Sequence, residues 1–278
     1  MSSKVPPIIL NNGVEMPQLG FGVWQVPDAE AQNAVATALE FGYRSVDTAA
    51  IYGNEAGTGK AIAASGVPRE EIFVTTKLWN SDQGYDSTLR AFDDSAAKLG
   101  LEYVDLYLIH WPVPARDRYV DTYRAFEKLL GDGRVRAVGV SNFLPEHLER
   151  LIGETSVIPA VNQIELHPHL QQHAARAYHA EQGIRTEAWS PLGQGKGLLE
   201  VPAIVAVAQK HGRTPAQIVL RWHLQQGTIV IPKSVTPSRI RENIEVFDFT
   251  LDTEDLAAIG ALNEDRRLGP NPATFDMA

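Results

Sequence analysis

Short runs rich in β-branched and aromatic residues alternate along the chain with longer stretches whose apolar residues recur every three or four positions. The runs cover residues 19–22, 43–47, 72–77, 104–110, 135–141, 160–165, 184–190 and 228–233. Between and after them lie helix-like stretches at 29–41, 55–64, 87–99, 118–130, 145–152, 171–182, 202–226 and 237–243. Val35, Ala38 and Leu39 make one apolar face, and Leu148, Leu151 and Ile152 another. Thr214-Pro215 and Thr236-Pro237 read as a helix cap followed by proline at the first helical position. Several runs, such as 104–109, are apolar for most of their length, as strands covered on both faces should be.

Eight strand–helix units predict a parallel sheet closed into a single-domain (β/α)8 TIM barrel over residues 1–278. The rival is an open doubly wound sheet. It calls for a glycine fingerprint after the first strand, but Gly20-Phe21-Gly22 is followed by Gln25 where a third glycine belongs, and no helix pattern opens there. Residues 8–12 and 14–18 flank Asn12-Gly13, which predicts a two-residue hairpin closing the bottom of the barrel.

Composition narrows the chemistry. Of 278 residues, 44% are hydrophobic and 21% charged, the balance of a soluble globular chain. Lys plus Arg is 25 against 34 for Asp plus Glu, a net charge of −9, which disfavours nucleic acid as a partner. With no cysteine there is no disulfide, thiolate nucleophile or cysteine-bound metal. No run approaches the ~18–20 apolar residues of a membrane helix, and residues 1–7 carry no leader pattern. A cytoplasmic monomer, without membrane or nucleic-acid partners, is the expectation.

The polar residues stand at strand ends. These ends give Trp24, Asp47, Lys77, His110, Ser141-Asn142, Gln163, Glu165, Trp189-Ser190 and Lys233-Ser234. In a barrel they share one face, the face that carries active sites. Lys77 ends a strand that should be buried, so it needs a counter-charge, and Asp47 on the neighbouring strand can supply one. The pair alone fits a structural ion pair as well as a catalytic one. Tyr52, five residues past Asp47, reads as packing by itself. Beside an ammonium, its phenol should titrate lower.

The segments around these residues resemble the aldo-keto reductases. They are Gly42-Tyr43-Arg44-Ser45-Val46-Asp47-Thr48-Ala49, Tyr52-Gly53-Asn54-Glu55, Thr76-Lys77-Leu78-Trp79 and Asp105-Leu106-Tyr107-Leu108-Ile109-His110-Trp111-Pro112. Gly139-Val140-Ser141-Asn142-Phe143, the stretch 161–168 and Ile231-Pro232-Lys233-Ser234 match as well. The likeness spans nearly the whole chain. It is strongest toward the prokaryotic 2,5-diketo-gluconate reductases, through 161–168, 191–196 and the short tail.

The resemblance implies a catalytic tetrad of Asp47, Tyr52, Lys77 and His110, and an extended NADPH across the barrel mouth. Ser141, Asn142 and Gln163 would hold its carboxamide, and Trp189 would stack on the nicotinamide, where many family members have tyrosine. The glycine-rich loop of Ser190, Leu192, Gly193, Gln194, Gly195 and Lys196 would meet the pyrophosphate. Lys233, Ser234, Val235, Thr236 and Arg239 would take a 2′-phosphate at a helix start, with Glu242 and Asn243 toward the adenine. Trp24, Trp79, His110 and Trp111 would line the substrate pocket, and the short tail suggests a wide one.

The implied reaction is NADPH-dependent reduction of small aldehydes, dicarbonyls such as methylglyoxal, or keto-sugars such as 2,5-diketo-gluconate. Tyr52 would act as general acid, with no metal. A regulatory subunit that senses the cofactor, and a Schiff-base lyase using Lys77, stay open as alternatives. Gly57-Thr58-Gly59-Lys60 lacks the spacing of a phosphate loop. His167, His169 and His173 read as surface histidines.

Overall fold

The structure, a computed structural model, describes residues 5–277. Residues 1–4, which open the segment read for a leader, and residue 278 lie outside it. A hairpin of β1 (Pro7–Ile9) and β2 (Glu15–Pro17) comes first. Then β3 (Phe21–Gly22), β4 (Ser45–Asp47), β5 (Phe73–Leu78), β6 (Val104–Ile109), β7 (Val135–Ser141), β8 (Val161–Glu165), β9 (Arg185–Trp189) and β10 (Ile229–Val230) pair in parallel, in chain order.

Helices follow the strands. They are α1 (Asp28–Glu40), α2 (Glu55–Ala64), α3 (Tyr85–Leu99), α4 (Tyr119–Gly131), α5 (Pro145–Glu154), α6 (His173–Glu181), α7 (Pro202–His211), α8 (Pro215–Gln225), α9 (Pro237–Ile244) and α10 (Thr253–Gly260). No helix among the described residues is long and apolar enough to cross a membrane.

The sheet closes on itself. The Gly20 N–H donates to the Val230 carbonyl at 2.8 Å, and the Val230 N–H donates to the Gln18 carbonyl at 3.0 Å. Gly22 lies so close to this seam that a Cβ there would sit 2.9 Å from the Ile231 carbonyl oxygen. The glycine pair that failed as a dinucleotide fingerprint therefore serves the closure of an eight-stranded barrel.

Side chains alternate in and out along each strand. Outward residues such as Val46, Val74, Tyr107, Val138 and Ile164 join the layer packed against the helices. Inward residues at the bottom, Phe73, Leu106, Leu108, Ala137, Val161 and Ile229, pack on Leu10 and Met16 of the hairpin. Burying a side chain such as Met16 is worth roughly 1.5–3 kcal/mol, so the plug is held by its own apolar surface. Higher up, the inward series turns polar: Thr75 and Lys77 on β5, Gln163 on β8, Glu187 on β9 and Asp47 on β4. The apolar floor fixes the level at which those charges sit.

Three local readings change. The hairpin loop has three residues, Asn11-Asn12-Gly13, because the Leu10 N–H pairs with the Val14 carbonyl at 2.9 Å and Gly13 takes φ +84°. The stretch 202–226 is two helices, not one. Gly212 ends α7 in the left-handed conformation, and Thr214 caps α8 reciprocally with Gln217. The short helix α10, capped by Asp252, was not read from the pattern at all.

Candidate active site

Lys77 is fully buried, and its Nζ donates to Asp47 Oδ1 at 2.6 Å and to the Thr48 carbonyl at 2.9 Å. Burial works against the ammonium. The Asp47 carboxylate and then Tyr52 outweigh it, so the Lys77 pKa stands above its ordinary value. Lys77 is therefore a cation at every working pH.

Tyr52 reaches this pair from the β4–α2 loop. A 3-10 turn, Ala50–Tyr52, carries it, and Gly53 at φ +68° ends the turn. Asn54 pins the loop from inside. Its Nδ2 donates to the Val23 and Val26 carbonyls at 2.9 and 2.8 Å, and its Oδ1 accepts the Thr48 hydroxyl at 2.7 Å. The Tyr52 ring centroid lies 5.0 Å from Lys77 Nζ and meets the His110 ring edge-on at 5.6 Å. So the structure brings Asp47, Tyr52, Lys77 and His110 together.

The phenol titrates above its ordinary value, not below it. Burial is the largest cause. The Lys77 ammonium pulls the value down, but Asp47 and Glu187 push it up again. The expectation from the ammonium alone left out the burial of the phenol and, after it, those two carboxyl groups. His110 is displaced well below its ordinary value, first by burial and then by Lys77, so the imidazole is neutral.

The residues assigned to the carboxamide already bond to one another. Ser141 Oγ donates to the Gln163 backbone carbonyl at 2.8 Å. Asn142 Nδ2 donates to the His110 carbonyl and to Ser141 Oγ, each at 3.0 Å, and its Oδ1 accepts Trp189 Nε1 at 2.8 Å. Gln163 Nε2 bridges two carboxyl groups, Asp47 Oδ2 at 2.8 Å and Glu187 Oε2 at 2.9 Å. Asp47 is a pure acceptor, so the nitrogen must face it, and the Gln163 side-chain oxygen Oε1 is left over.

After β9, Gly193, Gln194, Gly195 and Gly197 all take positive φ, which curls the loop over the rim. Leu198 anchors it in an apolar cluster, Ser190 Oγ accepts Gln194 Nε2 at 2.9 Å, and Lys196 is exposed. After β10, Lys233, Val235, Thr236 and Arg239 are exposed at the start of α9, and Ser234 Oγ accepts the Thr236 N–H at 3.1 Å. Glu242 is turned toward α8, where it accepts the Thr214 hydroxyl at 2.6 Å. Asn243 is buried.

Trp79 and Trp111 form one apolar cluster with Val113, Trp189 and Phe275. Trp24 stands outside that cluster and is 41% exposed. The tail folds back over the mouth rather than leaving it wide. The Phe275 ring lies 4.3 Å from Trp111, and Asn80 Nδ2 donates to the Met277 carbonyl at 2.8 Å. A Cβ on Gly269 would be 2.5 Å from Trp189 Cη2, so the backbone itself presses on that ring.

His167 and His169 are buried, against the surface reading, while His173 is exposed. The first two tie down the tail. His167 Nε2 lies 3.0 Å from Glu165 Oε1, and His169 Nδ1 meets Arg266. No group of three or more His, Asp or Glu is set to hold a metal among the described residues.

Sequence reasoning missed Glu187 and Phe275 as parts of the mouth, and placed Glu165 at a strand end on that face without giving it a role. Glu187 had a signal, since it shares inward parity with Trp189 in a strand otherwise destined for burial. Glu165 follows Gln163 by two and so shares its face. Phe275 had no signal, because a tail contact is non-local.

The family model described as "Aldo/keto reductase family" matches residues 17–264. An aldo-keto reductase of Mycolicibacterium smegmatis is 60% identical over 272 residues, covering 98% of each chain. The methylglyoxal reductase DkgA of Yersinia pestis is 56% identical over 271 residues, covering 97% of each chain. The solved structure of a Gox0644 mutant in complex with NADPH superposes with a TM-score of 0.94 at 51% identity, covering 98% of this chain and 99% of that one.

Proposed function

Because the chain belongs to the aldo/keto reductase family and is an NADP-dependent carbonyl oxidoreductase, we propose that it reduces small aldehydes and dicarbonyls of the methylglyoxal kind, with Tyr52 as general acid. The observation that carries this reading is the buried Lys77–Asp47 pair at 2.6 Å beneath the Tyr52 ring, with the His110 ring against it.

When bound, NADPH supplies the hydride that reaches the carbonyl carbon. Negative charge then grows on the carbonyl oxygen. His110, neutral and at the mouth, offers that oxygen a hydrogen bond and fixes its position. Tyr52 keeps its proton until the oxygen needs it, as its raised pKa favours, and then donates it. Lys77 stabilises the phenolate left behind, and Asp47 holds the ammonium charged and aimed.

The residues available suit the cofactor. The Gln163 side-chain oxygen, Oε1, accepts no bond among the described residues and is free for a carboxamide N–H. Lys233 and Arg239 enter no ion pair among the described residues, and both stand at a helix start, which suits a 2′-phosphate. Ser141, Asn142 and the Trp189 ring would meet the nicotinamide end, and Ser190 with 192–196 the pyrophosphate.

The pocket walls favour the dicarbonyl over the keto-sugar acid. Trp79, Trp111, Val113 and Phe275 give the mouth an apolar wall, against which a small dicarbonyl packs without burying a carboxylate. NADPH consumption with methylglyoxal, simple aldehydes and 2,5-diketo-gluconate tests this. The highest kcat/KM is expected for methylglyoxal. Turnover of none of them would turn the reading to a cofactor-sensing subunit.

A further inference from the structure

We propose that Glu187, buried inside the barrel below the mouth, is a positioning residue for the reduction: as a neutral acid it holds the Gln163 amide in place, and its ionisation slows proton donation by Tyr52. The inference rests on the tetrad reading above. Glu187 is 0% exposed, and among the described residues its single side-chain hydrogen bond accepts Gln163 Nε2 at 2.9 Å. Its other oxygen, Oε1, is buried without a partner among the described residues.

One amide nitrogen thus serves two carboxyl groups, and only one of the two has a cation. Asp47 holds Lys77 at 2.6 Å and takes the charge. A second carboxylate beside it, with one hydrogen bond and no counter-ion, would be costly in so buried a place. Glu187 therefore carries a proton, which belongs on the unpartnered Oε1. The two contacts together keep the Gln163 nitrogen inward and its carbonyl oxygen outward, the orientation a cofactor carboxamide needs.

The groups that act on Glu187 come from several elements. Asp47 projects from β4, Lys77 from β5 and Tyr52 from the loop after β4, while its register neighbours are Gln163 on β8 and Ile229 on β10. Burial first, and then Asp47, push the Glu187 pKa up to about 8. Above that pH a new negative charge opposes the phenolate that Tyr52 must become. Reduction therefore slows as pH rises through this value, well before Tyr52 itself titrates.

The test is the single-turnover rate of NADPH oxidation by methylglyoxal against pH. Wild type should lose roughly threefold to tenfold of its rate across the limb near pH 8, the effect of about one unit on a coupled acid. Glu187→Gln, which has no proton to lose there, should show no such limb, and Glu187→Met should behave alike. Persistence of the limb in both variants, or its absence in wild type, overturns the inference. Tyr52→Phe run in parallel separates the two levels. If that variant keeps its rate the tetrad reading fails, whereas a dead Tyr52→Phe beside an unchanged Glu187→Gln profile sinks only the role of Glu187.

Thermal unfolding gives an independent readout. A carboxyl whose folded pKa is raised costs stability progressively as pH climbs from its ordinary 4.5 to about 8. The Tm of Glu187→Gln relative to wild type should therefore increase over that interval. A constant difference contradicts the proposal.

Discussion

Glu165 accepts the backbone N–H of Leu268 at 2.6 Å across 103 residues of sequence, and that of Gly269 at 3.0 Å. Burial disfavours the charge on Glu165, but His167 and the two amides prevail and hold its pKa below the ordinary value. One buried carboxylate at the end of β8 thereby fastens the tail over the mouth and sets Phe275 against Trp111.

Glu165→Ala should release that tail. Each charge-assisted hydrogen bond is worth about 1.5–3 kcal/mol, so KM for the carbonyl substrate should rise on the order of tenfold, with kcat much less affected. Steady-state kinetics checks this. An unchanged KM would mean that the tail is no wall of the pocket.

Much of this site was legible because a barrel converts strand ends into neighbours. Asp47, Lys77 and His110 each end a strand of apolar or β-branched residues, and parallel pairing in chain order places them side by side. What sequence could not give were relations that no period encodes. The sign of the Tyr52 shift depended first on burial of the phenol and then on two carboxyl groups, one of them on β9. The split between α7 and α8 was only half legible: Thr214-Pro215 marked a helix start, but Gly212, whose left-handed φ ends α7, reads like any glycine in a helical pattern. The tail, short and rich in turns, gave no hint that a distant glutamate would receive it.

His110 should contribute no titration near its ordinary value of 6.5. Burial, and then Lys77, hold its pKa well below that, so the ring is already neutral when pH rises through 6. The pH profile of kcat should be flat across this range. His110→Ala should lower kcat/KM by about 10²-fold through loss of a donor to the developing oxyanion. A limb near 6.5 that vanishes in the variant would show a charged imidazole at work instead.

Arg239→Ala should weaken NADPH binding by about 10–100-fold, the loss of a charged hydrogen bond worth about 1.5–3 kcal/mol. NADH binding should hardly change, since NADH has no 2′-phosphate. Fluorescence titration of both cofactors decides the matter. Equal losses for the two would place the phosphate elsewhere.

The most direct measurement is the turnover of Tyr52→Phe with NADPH and methylglyoxal, alongside cofactor binding by the same protein. Removing one oxygen leaves the ring, its contact with His110 and the Lys77–Asp47 pair in place. The account predicts that kcat falls about 10²–10⁴-fold while NADPH binds as before. A variant that keeps most of its kcat would contradict it, and the proton would have to come from another group at the mouth.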